Sequence, residues 1–220
     1  MKTRTLFCLL TVALALPSLA GCNVGGAIGY KLFGPPAVEA QYVPPQEPML
    51  VLVENYRGSA VRTADAETLG RYLMVELENH KVAPLIPVDK VYELRTSNPA
   101  AFKKMSMAAL GREVGAKQVL YVDLQDCTIG APPGSELLKG RVAVQVRVVD
   151  VETGATRWPA EATDGIPMAY ETPLPRADEN ATEAIVRARM HFGMAERIAK
   201  LFYKWKPVDT TETLDMGESG

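Results

Sequence analysis

Residues 140–151, GRVAVQVRVVDV, constrain this chain more than any other segment. Val142, Val144, Val146 and Val148 fall on alternate positions, with Arg141, Ala143, Gln145 and Arg147 between them. Side chains of a strand point to opposite faces with a period of two, so this segment carries one apolar and one polar face. That is the pattern of an antiparallel strand packed on one side and wet on the other. Asp150 to Gly154, DVETG, then has the composition of a tight hairpin turn, and ATRWP begins a returning strand. A sheet is required, and the remaining segments must cover its apolar face.

Several segments suit that task. MLVLVEN, Met49 to Asn55, is a continuous apolar run, as expected of a central strand covered on both faces. In Thr63 to His80, Ala66, Leu69, Tyr72, Leu73 and Leu77 recur at three- and four-residue steps and make one helical stripe. Thr63 can cap this helix, and Asp65 and Glu67 suit its positive end. Val82 to Ile86 predicts a short second strand, which Pro84 and Pro87 push to an edge. A short helix over Val88 to Arg95 and a polar loop through Asn98 come next. SMAALGREVG follows, with Ser106 as N-cap and Gly115 as stop. It feeds into a long strand, Ala116 to Gly130. Pro159 to Asn180 has four prolines and weak periodicity, and is expected to be a binding loop or a mobile connection. Asn180 and Glu183 form an approximate capping box for a long last helix, Ala181 to about Lys204. Its expected seam is Ile185, Ala188, Phe192, Ala195, Ala199 and Phe202. The fold class is therefore α/β (α+β), a mixed sheet of about five strands with helices packed on it and a long C-terminal helix, in a single domain.

The front of the chain gives an address. Lys2 and Arg4 precede the apolar run Leu6 to Leu16, the layout of a secretory signal. That run is shorter than the roughly 20 residues of a membrane-spanning helix. Leu19-Ala20-Gly21-Cys22 resembles the bacterial lipoprotein box, in which the thiol takes a diacylglyceryl group and the chain is cut before the cysteine. An ordinary secretory cut after Ala20 or Gly21 is the alternative. The expected organisation is a signal peptide at residues 1–21, a lipidated Gly/Pro-rich tether at 22–48, the α/β domain at 49–205 and a disordered acidic tail at 206–220. Cutting before Cys22 removes Lys2 and Arg4 from 24 basic residues and no acids. That leaves 22 against 26, a formal charge of −4. Phosphate binding needs clustered cations, so no nucleic-acid partner is expected.

Reactive constellations are missing from the sequence. His80 and His191 lie at or in predicted helices without an H-x-x-x-H partner, and both are expected to be surface or helix-end residues. Cys127, in an apolar strand pattern, is expected in the core. Asp123 and Asp126 are three apart on a strand and so point to opposite faces unless a bulge intervenes. Lys103, Lys104 and Arg112 are simplest as solvated charges. No catalytic residue, cofactor or metal is expected. Trp158 and Tyr170 are candidate partner-binding aromatics, although Trp-Pro at a strand end also suits packing over a sheet edge.

MLVLVEN, SMAALGREVGAKQVLYVDLQD and VVDVETGATRW together resemble the small α/β domain of several envelope proteins. These are the curli-secretion-channel lipoproteins, the lipoprotein activators of penicillin-binding proteins and the N-terminal domain of the Tol-system propeller protein. The likeness lies in Leu110-Gly111 through Gly115-Ala116 entering the strand at Gln118-Val119-Leu120, and in Asp150, Thr153-Gly154 and Trp158. The fuller chain resembles a lipoprotein group of planctomycete-type bacteria, which implies no activity. Every alternating segment is already used by the domain sheet, so none remains for the membrane hairpins of a channel subunit. The resemblance implies a non-enzymatic envelope lipoprotein, anchored to a membrane (the outer membrane, periplasmic side) by its lipid and binding an envelope protein. The alternatives are an oligomeric subunit of a secretion or assembly complex, and an enzyme whose site assembles from scattered acids and arginines.

Overall fold

The computed structural model describes residues 35–54, 63–102, 104–175 and 181–207. In chain order the elements are β1 (Met49–Glu54), α1 (Thr63–Asn79), α2 (Val88–Ser97), α3 (Pro99–Phe102), α4 (Met107–Val114), β2 (Gln118–Gly130), β3 (Lys139–Asp150), β4 (Thr156–Trp158), β5 (Ile166–Glu171) and α5 (Glu183–Ala199). The signal, Cys22 and most of the expected tether and tail lie outside the described residues.

The unit formed by residues 40–203 is built on one mixed sheet of five strands in the order β1-β2-β3-β4, with β5 also paired to β3. β1 runs parallel to β2, and β2 runs antiparallel to β3 from Gln118↔Asp150 to Gly130↔Lys139. The second edge of β3 is shared. β4 takes its C-terminal end at Val148↔Trp158, and β5 takes Arg141 to Val146. The expected fold class is thus the observed one. β1 is covered on both faces as its continuous apolar run requires, but it stands at the end of the strand order rather than at its centre.

Each face of the sheet has its own core. The valines of the alternating segment, with Leu120, Val122 and Leu124, pack against Leu69, Leu73 and Leu77 of α1 and Met190, Met194 and Ile198 of α5. On the other face Leu50, Leu52, Val119 and Tyr121 pack against Val91, Leu110 and Val114 of α2 and α4. α4 starts on Ser106, whose hydroxyl accepts from the Ala109 N–H at 3.2 Å, and stops at Gly115 with φ 80°. Both ends follow the expected capping. Between them Gly111 lets the helix lie against the sheet, because a Cβ there would sit 2.5 Å from Val151 Cγ2 and 3.1 Å from Val119 Cγ2. Gly111→Ala is expected to destabilise the fold by about 1–3 kcal/mol through overpacking, read as a lower denaturant midpoint at unchanged slope.

Further expectations are corrected. Val82 to Ile86 makes a single bridge, Met49↔Leu85, rather than a strand, since Pro84 and Pro87 have no N–H to continue a ladder. The Pro159–Asn180 stretch contains β5, whose inward residues Ile166, Met168 and Tyr170 alternate with exposed ones. Pro167 obscures that alternation and is tolerated in a strand hydrogen-bonded on one side. Thr182, not Asn180, caps α5, its hydroxyl accepting from the Ile185 N–H at 3.4 Å. The helix ends at Ala199; Ala195, Ala199 and Phe202 of the expected seam are buried, together with Val186, Met190, His191, Met194 and Ile198. Ile185 and Phe192 of the expected seam are 40% and 47% exposed. Gly193 lies on the packed side because a Cβ there would enter the Tyr170 ring, 2.3 Å from its Cζ.

Residues 40–48, grouped with the tether by their prolines, belong to this unit. Gln118 is fully buried, and its Nε2 donates to the carbonyls of Pro45 and Glu47 at 2.9 and 3.0 Å. Separately, Val38 and Trp205 pair through two backbone hydrogen bonds of 2.8 and 3.1 Å.

The expected hairpin turn is tied by Asp150. Its Oδ1 accepts from the Thr153 N–H at 2.7 Å and hydroxyl at 2.9 Å, while Oδ2 takes Arg157 Nε at 2.6 Å. The Thr153 backbone N–H, followed by Arg157, holds this carboxyl at about 2, below its ordinary 3.8. A lowered folded-state value stabilises above the unfolded value, and that contribution is lost as pH falls. Stability should therefore decline between about pH 4 and pH 2, and Asp150→Asn should flatten that decline in urea titrations.

Candidate functional site

α1, β2 and α5 bring three reactive side chains together. Asp65 stands in the first turn of α1, His191 is near the middle of α5, and Cys127 lies in the second half of β2. His191 Nε2 is 3.4 Å from Asp65 Oδ1 and 3.6 Å from Cys127 Sγ. Arg187, one turn before His191 on α5, donates from Nη1 to the same Asp65 oxygen at 2.9 Å and from Nη2 to Glu183 at 2.6 Å. Asp65 and His191 are 3% and 1% exposed, whereas Cys127 is half-buried.

A bulge makes this meeting possible. In the first half of β2 the even-numbered residues Leu120, Val122 and Leu124 face α1 and α5. The register shifts between Leu124↔Val144 and Asp126↔Ala143, leaving Gln125 as the extra residue. One extra residue reverses the parity of a strand. Cys127 therefore faces inward opposite Val142, beside the two helices. The same reversal aligns Asp126 with Ala143 and Asp123 with Gln145, on one face rather than two. Their partners differ: Gln125 Nε2 donates to Asp123 at 2.5 Å, and Arg141 approaches Asp126 at 3.9 Å.

Cys127 packs against the core, as its apolar strand pattern suggests, but is only half-buried. The expected surface placement of His191 does not hold: its ring is enclosed where α5 crosses the start of α1. Burial, reinforced by Asp65, pushes the Cys127 thiol up to about 12, and burial pulls the His191 imidazole below its ordinary value. At neutral pH the group is a thiol beside a neutral imidazole, which is not an activated nucleophile. The geometry agrees. A Cys–His–Asp triad uses both ring nitrogens, one toward the nucleophile and one toward the acid. Here thiol and carboxylate converge on Nε2, while Nδ1 is buried with no hydrogen-bond partner among the described residues.

The other residues singled out from the sequence lie elsewhere. Trp158 is 9% exposed, stacked on Tyr42 at 5.9 Å and edge-on to Phe202 at 5.6 Å. Tyr170 lies across Gly193, with the Arg197 guanidinium 4.9 Å from its ring centroid. His80 is exposed and stacks on Tyr203 at 3.7 Å. Arg112 donates to the Val151 carbonyl at 3.4 Å. Lys103 is outside the described residues and Lys104 is exposed. No helix among the described residues is long and apolar enough to cross a membrane.

These features define a single α/β domain with a mixed five-strand sheet, helices on both faces and a polar cluster under its C-terminal helix. No protein-family model matches the sequence, and no curated protein matches it. Among solved structures it is similar to lipoprotein GNA1162 from Neisseria meningitidis, at 14% identity and TM-score 0.47, over 69% of this chain and 97% of that one. It is also similar to the dodecamer of a PelC variant from Paraburkholderia phytofirmans, at 10% identity and TM-score 0.42, over 76% of this chain and 97% of that one. A third is hypothetical protein CT253 from Chlamydia trachomatis, at 10% identity and TM-score 0.43, over 71% and 92%.

Proposed function

We infer that the chain is a lipid-anchored protein of the bacterial cell envelope whose α/β domain binds another envelope component and catalyses no reaction of its own. The observation that carries this reading is Leu19-Ala20-Gly21-Cys22 directly behind a charged start and an apolar run. Buried acyl chains contribute about 0.8 kcal/mol per CH₂, so several on one cysteine hold the protein at the bilayer. The sequence from Asn23 to Pro36 is rich in glycine and proline, the composition of a tether. A binding role is supported by β5, which among the described strands is paired only to β3 and is followed by the half-exposed Leu174. Its outer edge is partly taken, because Arg197 Nη1 donates to the Ala169 carbonyl at 3.1 Å, so the exposed Leu174 is the feature a partner would cover.

The test is fatty-acid labelling in cells. The native chain is expected to incorporate label and sediment with membranes, and Cys22→Ser to do neither. Labelling that persists in Cys22→Ser would overturn the anchor. The native mass of the detergent-extracted protein then separates a module from an assembly subunit, since a closed ring of many copies belongs to the second.

A further inference from the structure

We propose that Asp65, Cys127 and His191 form a binding site for a divalent zinc-class ion, with three protein ligands and one open coordination position. The inference goes beyond the anchor and the partner role and depends on neither. It rests on the convergence of a thiol, an imidazole nitrogen and a carboxylate oxygen, all within 4.8 Å of one another.

The two separations made by His191 are those of a coordination tetrahedron. Zinc takes sulfur at about 2.3 Å and nitrogen or oxygen at about 2.0–2.2 Å. Tetrahedral angles then set sulfur and nitrogen about 3.6 Å apart, and nitrogen and oxygen about 3.4 Å apart. The observed distances are 3.6 Å from Cys127 Sγ to His191 Nε2 and 3.4 Å from that nitrogen to Asp65 Oδ1. A neutral imidazole offers one lone pair. Nε2 is the nitrogen that faces both other donors, as a ligating nitrogen must.

Charge fits as well, and the carboxylate ligand has an outer-sphere partner. Cys127 gives its proton to solvent on binding, so thiolate, carboxylate and a divalent cation sum to neutrality. Arg187 is balanced by Glu183 at 2.6 Å. Its Nη1 at 2.9 Å from Asp65 Oδ1 is an outer-sphere hydrogen bond that orients the ligating carboxylate, one oxygen having a lone pair for each neighbour. A mixed sulfur, nitrogen and oxygen set selects zinc or cobalt over magnesium or calcium, which prefer oxygen alone. Cys127 is the half-buried member of the trio, which places the fourth position, for water or a partner's donor, on its side.

Cobalt(II) reports the test. The full chain carrying Cys8→Ser and Cys22→Ser keeps Cys127 as its one thiol, so the readout is independent of lipid attachment. It should bind one cobalt per chain, with a thiolate charge-transfer band and tetrahedral visible bands that zinc abolishes. Adding Cys127→Ser should remove the charge-transfer band, and His191→Gln or Asp65→Asn should weaken zinc binding by at least about 100-fold. Zinc at one hundred times its Kd should raise the Tm of the ligand-intact chain by about 5–10 °C and that of the folded Asp65→Asn chain by no more than about 1–2 °C. Absence of cobalt bands, a charge-transfer band that survives Cys127→Ser, or a Tm indifferent to zinc in the ligand-intact chain would overturn the site.

Discussion

Leu120→Ala is expected to lower the unfolding free energy by about 2–5 kcal/mol. Leu120 is fully buried on β2, opposite Val148 and beneath α1 and α5. Truncation removes the transfer free energy of the missing carbons and leaves a cavity. Strands paired on both sides and helices locked on the sheet give little room for collapse. Val51 stands beside Leu120 on β1 but is only half-buried, so Val51→Ala should cost distinctly less. Urea unfolding of both variants measures the contrast. Equal losses would mean that the sheet centre is not the mechanical core of the domain.

Arg187→Met is expected to cost about 2–4 kcal/mol, because it leaves the Asp65 carboxylate at 3% exposure without its cation. The lower figure allows for the partial exposure of Arg187, whose side chain is 24% accessible. Converting Asp65 to Asn in the same chain should restore part of the loss, since the buried charge is then gone. The double-mutant cycle should yield a coupling of at least about 1 kcal/mol. Additive losses would show that the two side chains do not depend on each other.

Much of the fold is written in local patterns. The alternating valines specify β3 and which face of it is packed. Ser106 and Gly115 mark α4 at both ends, and Asp150 with Thr153 marks the turn. The three- and four-step leucines of α1 give its buried stripe. Each of these rests on a period or a cap that needs no distant partner.

The site was legible only in pieces, because it depends on a change of phase. Residues 118–124 are buried on both faces, so their sequence has no alternation to show which side Leu124 takes. Gln125 then adds one residue, and nothing nearby announces it. Without that bulge Cys127 would share a face with Tyr121 and Asp123 and lie away from His191. Asp65 suits the first turn of any helix, which conceals its role as the anion facing α5. On α5 a heptad template favours the bulky Ile185 and Phe192. The helix instead seats on Gly193, Met194 and Ile198 because Tyr170 needs the space beside the glycine, and Phe192 is left edge-on to Tyr72 at 5.9 Å. A short strand such as β5, with a proline at its second position, carries too weak a period to stand out from a loop.

The anchor is the claim on which the cellular role rests, and mass analysis of the N-terminal peptide from membrane-extracted native protein tests it most directly. The peptide is expected to begin at Cys22 and to carry a diacylglyceryl group on its sulfur. A chain that starts at any other residue, or at Cys22 with a bare thiol, would contradict it.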